Sequence, residues 1–287
     1  MISEFNSWRS RHFRQVGEYS WQPKSDAVEQ TIRDEFARHA VSIRLEDAAG
    51  GIPEPVYSDY LFEWDDPHFK IIQKFRAANE VTRPDGTIRR VSNEGGYLAV
   101  LRQLTSGLIY TGTTENNQGY ILSHARIDAL ESLIDTLQGP VLVAIYFRAE
   151  VEALLRRFGS AAKAFVGDTP PKERLDLINK WNQDQIPILI AAPSAMGHGI
   201  NLQHGSSRSI VWFTHSFDWA QRAQFNARLV RSGQTKTISI INLVANAGLD
   251  RVVLDSLEKK CSGEKAILAA LDIKHRFAPQ ESNNGAI

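Results

Sequence analysis

IPILIAAPSAMGHGINLQ (186–203), then SIVWF (209–213) and QRAQFNARLVRSGQ (221–234), decide the fold class of this 287-residue chain. Ile186–Ala192 is apolar without alternation, the mark of a strand buried on both faces rather than on one. Small residues follow, with Gly197 and Gly199 two apart. A loop without Cβ atoms lets backbone N–H groups approach a phosphate or a sugar. The last segment reads as an amphipathic helix carrying Arg228 and Arg231, closed by Gly233. Two guanidinium groups three residues apart on a helix share a face and can reach one phosphate together.

Outward from this stretch the pattern repeats. Val141–Phe147, Ala164–Val166, Ser209–Phe213 and Thr237–Val244 are strand-like, and helical patterns run over 149–158, 171–181 and 249–260. Continuous apolar strands alternating with helices predict a parallel sheet covered on both faces, an α/β fold. Upstream, Ser123–Leu137 presents Ile127, Leu130, Leu133, Ile134 and Leu137 on one helical face and is stopped by Gly139-Pro140. Before about residue 110 the texture differs. Helices are expected over 25–40 and 67–79 and short strands over 41–45 and 57–64, with a stiff Gly- and Pro-rich loop at 50–55 and a turn at Pro84-Asp85-Gly86. The expected organisation is therefore a smaller, mainly helical region (1–110), an α/β domain (111–275) and a tail (276–287) too poor in apolar residues to fold.

The aromatic and basic N-terminus (Phe5, Trp8, Arg9, Arg11, Phe13, Arg14) admits two readings, a nucleic-acid-contacting arm or a short helix with solvated arginines. Lysines plus arginines equal aspartates plus glutamates at 33 each, so net charge gives no support for a polyanionic partner, although a local basic groove depends on the patch and not the sum. The lone Cys261 excludes an internal disulfide and any Cys-x-x-Cys metal site, and a reducing cytoplasm is the expected compartment. No window approaches the ~18 apolar residues of a membrane span. His198, His204 and His215 lack ligand spacing, and no metal site is expected. His198 is expected to hydrogen-bond within the cleft.

Ser194-Ala195-Met196-Gly197-His198-Gly199-Ile200-Asn201-Leu202-Gln203 resembles motif V of superfamily-two helicases of the Snf type. Gln224, Arg228, Arg231, Gly233 and Gln234 match that family's motif VI, Q-x-x-x-R-x-x-R-x-G-Q, with wording most like its bacteriophage and prophage branch, except that Val230 stands where a His is usual. VLVAIYFRAEVEALLRRF (141–158) resembles motif IV and its helix. LRQLTSGLIY (101–110) and HARIDALESLIDTL (124–137) resemble the linking region before the second lobe, with Arg126 where a Lys is commoner. The first hundred residues are similar, more loosely, to the protrusion between the two motor lobes.

The resemblance implies the second, RecA-like lobe of an ATP-dependent motor on double-stranded DNA. It implies ATP and Mg²⁺ as cofactors, with Arg228 and Arg231 as arginine fingers on the departing γ-phosphate. Gly197, Gly199, Asn201 and Gln224 would lie at the nucleotide, and Gly167 and Ser194 at the nucleic acid. Gly167 and Ser194 may equally be read as strand terminators. Arg222, off the motif in the same segment, is expected to be silent. The 287 residues contain no Gly-Lys pair, so the phosphate-cradling G-x-x-x-x-G-K-[ST] loop has to come from an N-terminal ATP-binding lobe supplied elsewhere. Asp34-Glu35 lies in a helical pattern and is read as a solvated face. The alternative function is a non-catalytic DNA-binding or regulatory module derived from such a lobe, and RNA is a weaker alternative substrate.

Overall fold

The computed structural model describes residues 2–15, 21–39, 51–111, 118–197 and 199–259. The chain forms two compact units, residues 1–50 with 259–287, and residues 51–258. The described part of the first holds helix α1 (Ile2–His12), a hairpin of β1 (Phe13–Gln15) and β2 (Trp21–Pro23), and helix α2 (Asp26–His39). The Arg9 guanidinium lies 4.2 Å from the Trp21 ring centroid, a cation–π contact tying α1 to the hairpin.

The second unit is built on six parallel strands: β3 (Val56–Phe62), β8 (Val141–Ala144), β9 (Ala162–Phe165), β10 (Ile188–Ala191), β11 (Ser209–Trp212) and β12 (Ser239–Ala245), in the order β3-β12-β11-β8-β10-β9. The reason the sequence runs are continuously apolar is now visible. Val141, Val143, Ile188, Ile190 and Val211 point to one face, where they pack with α5 (Ala125–Ile134) and α6 (Arg148–Phe158). Leu142, Ala144, Leu189, Ile210 and Trp212 point to the other, against α7 (Pro171–Asn182) and α8 (Trp219–Asn226). Period-2 alternation with an apolar layer on each side leaves few positions for polar residues, Ser209 and Asn242 being buried exceptions. The RecA-like parallel sheet flanked by helices is the expected fold.

The boundary expected near residue 110 is not where the fold divides. β3 pairs in register with the whole of β12, from Val56↔Ser239 to Ala245↔Phe62, so residues 56–62 belong to the sheet. The segment that follows forms α3 (Asp66–Ala78), a hairpin of β4 (Glu80–Thr82) and β5 (Ile88–Arg90) around the expected Pro84-Asp85-Gly86 turn, and α4 (Glu94–Thr105). A second hairpin, β6 (Leu108–Tyr110) with β7 (Gly119–Ile121), leads into α5. Ile72 and Phe75 of α3 and Leu101 and Leu104 of α4 share a core with Leu249 and with Val253 and Leu257 of the closing helix α9 (250–259). Contacts more than 140 residues apart in sequence bind this region into the unit, and no local signal reports them.

Helix α4 was not expected, because Gly95-Gly96 stands in its first turn. Asn93 caps it, its Oδ1 accepting from Gly96 N at 2.7 Å, and a Cβ on Gly96 would meet Val91 Cγ1 at 2.9 Å. The glycine is there for close approach rather than for a turn. The strand expected over 41–45 and the tail 276–287 lie outside the described residues. Asp34-Glu35 is exposed on α2.

Candidate functional site

Strand β10 delivers the chain into a loop whose backbone is fixed from two sides. Pro193–Ala195 forms one 3-10 turn, leaving Ser194 exposed, and Gly199 takes φ +88°, a conformation that L side chains rarely adopt. Trp181 Nε1 of α7 donates to Leu202 O at 3.0 Å, and Asn182 Nδ2 donates to Asn201 O at 2.9 Å. From the other side Leu202 N donates to Arg228 O at 3.2 Å, and Arg228 Nη1 donates to Ile200 O at 3.4 Å. The structure thus brings the 197–203 loop and the 228–234 segment together, as their sequence patterns required. Gly197, Gly199, Asn201 and Gln224 are all exposed, and His198 lies outside the described residues.

Two expectations for the arginines are corrected. Helix α8 ends at Asn226, so Arg228 and Arg231 stand on the turns that follow it and not on a helical face. The backbone tightens there, with Arg228 N donating to Phe225 O and Leu229 N to Asn226 O, and Leu229 is fully buried in the same core as Phe225. Arg228 is also not solvated. It is only 7% exposed, and its Nε finds no partner among the described residues. Burial first, and then the neighbouring Arg231 charge, lower its pKa from the ordinary arginine value. A buried guanidinium with a spare donor beside a second cation is electrostatically incomplete without an anion.

Arg222 is the opposite case, and the expectation that it is silent is wrong. It is buried over the Trp212 ring at 4.2 Å, its Nη2 donating to Asn242 Oδ1, while Asn242 Nδ2 donates to Asp59 Oδ1 at 2.8 Å. Burial pushes its pKa down to about 10, so it stays charged at neutral pH. His215 completes the network. Its Nε2 lies 3.0 Å from Leu243 O, which can only accept, so that nitrogen carries the proton and Nδ1 accepts from Arg222 Nη1 at 3.4 Å. Sequence reading missed this network because its members lie on β3, β11, α8 and β12 and meet only across the sheet.

Burial first, and then the Arg222 and Arg126 charges, hold His215 well below the ordinary histidine pKa. Burial also lowers His68, whose Nε2 lies 2.7 Å from Leu104 O. Both rings are neutral in the folded state and titrate near 6.5 once unfolded, so the stability they support is present above that pH and is lost as pH falls. Unfolding free energy should decline between pH 7.5 and 5.5, with a limiting slope of about 1.4 kcal/mol per pH unit for each histidine. Urea titrations across that range read the slope, and a flat profile would mean both rings bind protons equally in the folded and unfolded states.

Gly167, two residues beyond β9, is exposed, its carbonyl accepting from Arg174 Nη2 at 2.7 Å. Ser194 opens onto a cleft of about 360 Å³ at the carboxyl ends of β8, β10 and β11, shared with Tyr146, Ser216, Asp218 and Gln221. A wider cleft of about 800 Å³ between β7, α5 and α6 contains none of the expected site residues.

This geometry coincides with a known pattern. Residues 125–233 match the family described as Helicase conserved C-terminal domain. Over that span the chain is similar to a helicase C-terminal lobe. The chain is 33% identical over 179 residues to protein p41 of Acyrthosiphon pisum secondary endosymbiont phage 1, covering 60% of this chain and 36% of that one. It is 31% identical over 147 residues to ATP-dependent helicase FUN30 of Saccharomyces cerevisiae, covering 48% of this chain and 12% of that one. The crystal structure of the C-terminal part of the Fun30 ATPase domain superposes with a TM-score of 0.56 at 20% identity, over 71% of this chain and 89% of that one. The helicase lobe is thus related to those of Snf/Fun30-type helicases, and the chain spans about a third or less of the two curated relatives.

Proposed function

We propose that this chain is the second motor lobe of an ATP-dependent DNA helicase or translocase of the Snf type, of the phage or prophage branch, working with a separate ATP-binding lobe. The observation that carries the reading is the Arg228–Arg231 pair. One guanidinium is buried and short of a partner, held to the Gly199-containing loop, with a second cation beside it. That donor set fits a phosphate. ATP, when bound between lobes, supplies a γ-phosphoryl group whose transfer develops charge that positioned arginines stabilise. Arg228 and Arg231 would offer the donors, with Gly197, Gly199, Asn201 and Gln224 along the same opening. The hard-oxygen ligands that Mg²⁺ needs would come from the other lobe. Double-stranded DNA would pass Gly167 and Ser194, gripped at its phosphates.

The test is complementation. The chain alone should hydrolyse no ATP above background, with or without DNA, and addition of a Snf-type ATP-binding lobe should give DNA-dependent turnover. Hydrolysis of even ~1 s⁻¹ by the chain alone, within the ordinary range of enzymes, would overturn the half-motor reading. Sequence-specific DNA binding that persists at high salt, with no complementation, would favour a regulatory module instead.

A further inference from the structure

The cleft that holds Ser194 is lined by an aromatic ring, two hydroxyls, an amide and a carboxylate, with no cationic side chain. Tyr146, directly after β8, is 45% exposed and lines it. The ring is fixed before any ligand arrives. Its backbone N–H donates to Glu150 Oε2 at 2.9 Å, and the Phe147 ring meets it edge-on with centroids 5.1 Å apart. The Arg102 guanidinium of α4 lies 4.0 Å from its centroid, while Arg102 Nε and Nη2 find no hydrogen-bond partner among the described residues. Arg102 is thus held as a plate against the tyrosine, and a planar cation on a ring is a stack that a further flat ring can extend.

The rest of the cleft agrees. Its polar groups are the hydroxyls of Ser194 and Ser216, the Gln221 amide and the Asp218 carboxylate, with no cationic side chain on its lining. A carboxylate repels a phosphate, whereas carboxylate and amide groups match the amino and carbonyl edges of a base. Position agrees as well, since ligands of parallel sheets sit beyond the carboxyl ends of the strands.

We propose that Tyr146 is a stacking platform for an unpaired base of the bound nucleic acid, with Arg102 as its positioning residue. This rests on the motor-lobe reading for its nucleic acid, and it makes single-stranded or locally opened DNA a ligand of the same face. A base offers its ring face only when it has left the stack, so the contact separates opened from fully paired strands.

The experiment is fluorescence anisotropy of the full chain with a dye-labelled single-stranded oligonucleotide, the matching duplex, and an oligonucleotide of abasic residues. Tyr146→Ala should weaken single-strand binding roughly 5- to 100-fold, the range for removal of one stacked aromatic. Tyr146→Phe should keep it, since the ring does the work. Duplex affinity and the slope against salt should be unchanged, because no phosphate contact is lost. Wild type should bind the abasic strand as weakly as Tyr146→Ala binds the normal one. Arg102→Ala should weaken single-strand binding too, and Tyr146→Phe in that background should change nothing more.

Equal losses on single strand and duplex, a changed salt slope, or no single-strand binding at all would overturn the proposal. Displacement of the oligonucleotide by ATP would assign the ring to the free nucleotide and overturn it too. Failure of the lobe complementation leaves these binding measurements standing, so the two readings fail separately.

Discussion

Arg228→Ala and Arg231→Ala should each lower DNA-dependent ATP turnover by at least ~10²-fold once an ATP-binding lobe is supplied, a conservative share of what an arginine finger contributes. The two substitutions should differ in their effect on folding. Arg231 is half-buried, whereas Arg228 is almost enclosed and donates to Ile200 O, so its truncation also releases the 197–203 loop. Arg228→Lys separates the roles: it keeps the charge but not the planar fork, and should restore stability better than turnover. Arg208, exposed and outside the motif, is the control whose replacement should be nearly silent. Arg222 cannot serve as that control, since its loss strands Asn242 and His215 in the core. Urea midpoints measured beside turnover distinguish the outcomes. If Arg208→Ala lowers turnover as much as Arg228→Ala and Arg231→Ala, the arginines are not acting on phosphate.

Arg126→Ala should destabilise the lobe by about 3–5 kcal/mol, the cost of leaving one partner of a buried ion pair uncompensated. Arg126 is fully buried, paired to Asp250 of α9, with further hydrogen bonds to Phe213 O and Leu243 O. Its guanidinium also lies between 5.1 and 5.8 Å from the ring centroids of Phe62, Trp64 and Phe213. One side chain therefore joins α5, β3, β11, β12 and α9. Asp250→Ala should cost a similar amount, and Arg126→Met with Asp250→Leu should recover part of the loss, because removing both charges leaves no stranded ion. Thermal or urea unfolding reads all three. The resemblance marks this position as more often Lys, yet a compact ammonium lacks the planar fork that here reaches two carbonyls and a carboxylate among three rings. Arg126→Lys should thus be destabilising here, and full stability of that variant would show that the stack and the fork contribute nothing.

What the sequence determined by itself was whatever is written locally. Five strands of the sheet are continuous apolar runs, and the helices between them carry their own periodicity, caps and stops, as in Pro171 at the start of α7. The order of a glycine-rich loop and two arginines was legible as one site, and the structure joins its halves through Leu202 and Arg228.

The tertiary structure decided what depends on neighbours distant in the chain. β3 is mostly exposed at the edge of the sheet and shows no buried pattern, and its membership comes from pairing with β12, some 180 residues later. Helix α4 was hidden by Gly95-Gly96, which close packing against Val91 requires. Helix α8 stops at Asn226, before its arginines, although Phe225 and Leu229 keep the i,i+4 spacing of a continuing helix, so periodicity did not mark its end. Charge was the least legible property. Arg126, Arg222 and Arg228 look like surface residues in a list of letters, yet all three are buried, and what separates them is their partners: a carboxylate for Arg126, an amide and a neutral imidazole for Arg222, and for Arg228 a backbone carbonyl. A sequence records which groups can ionise. The fold decides which of them are desolvated and which partners they find.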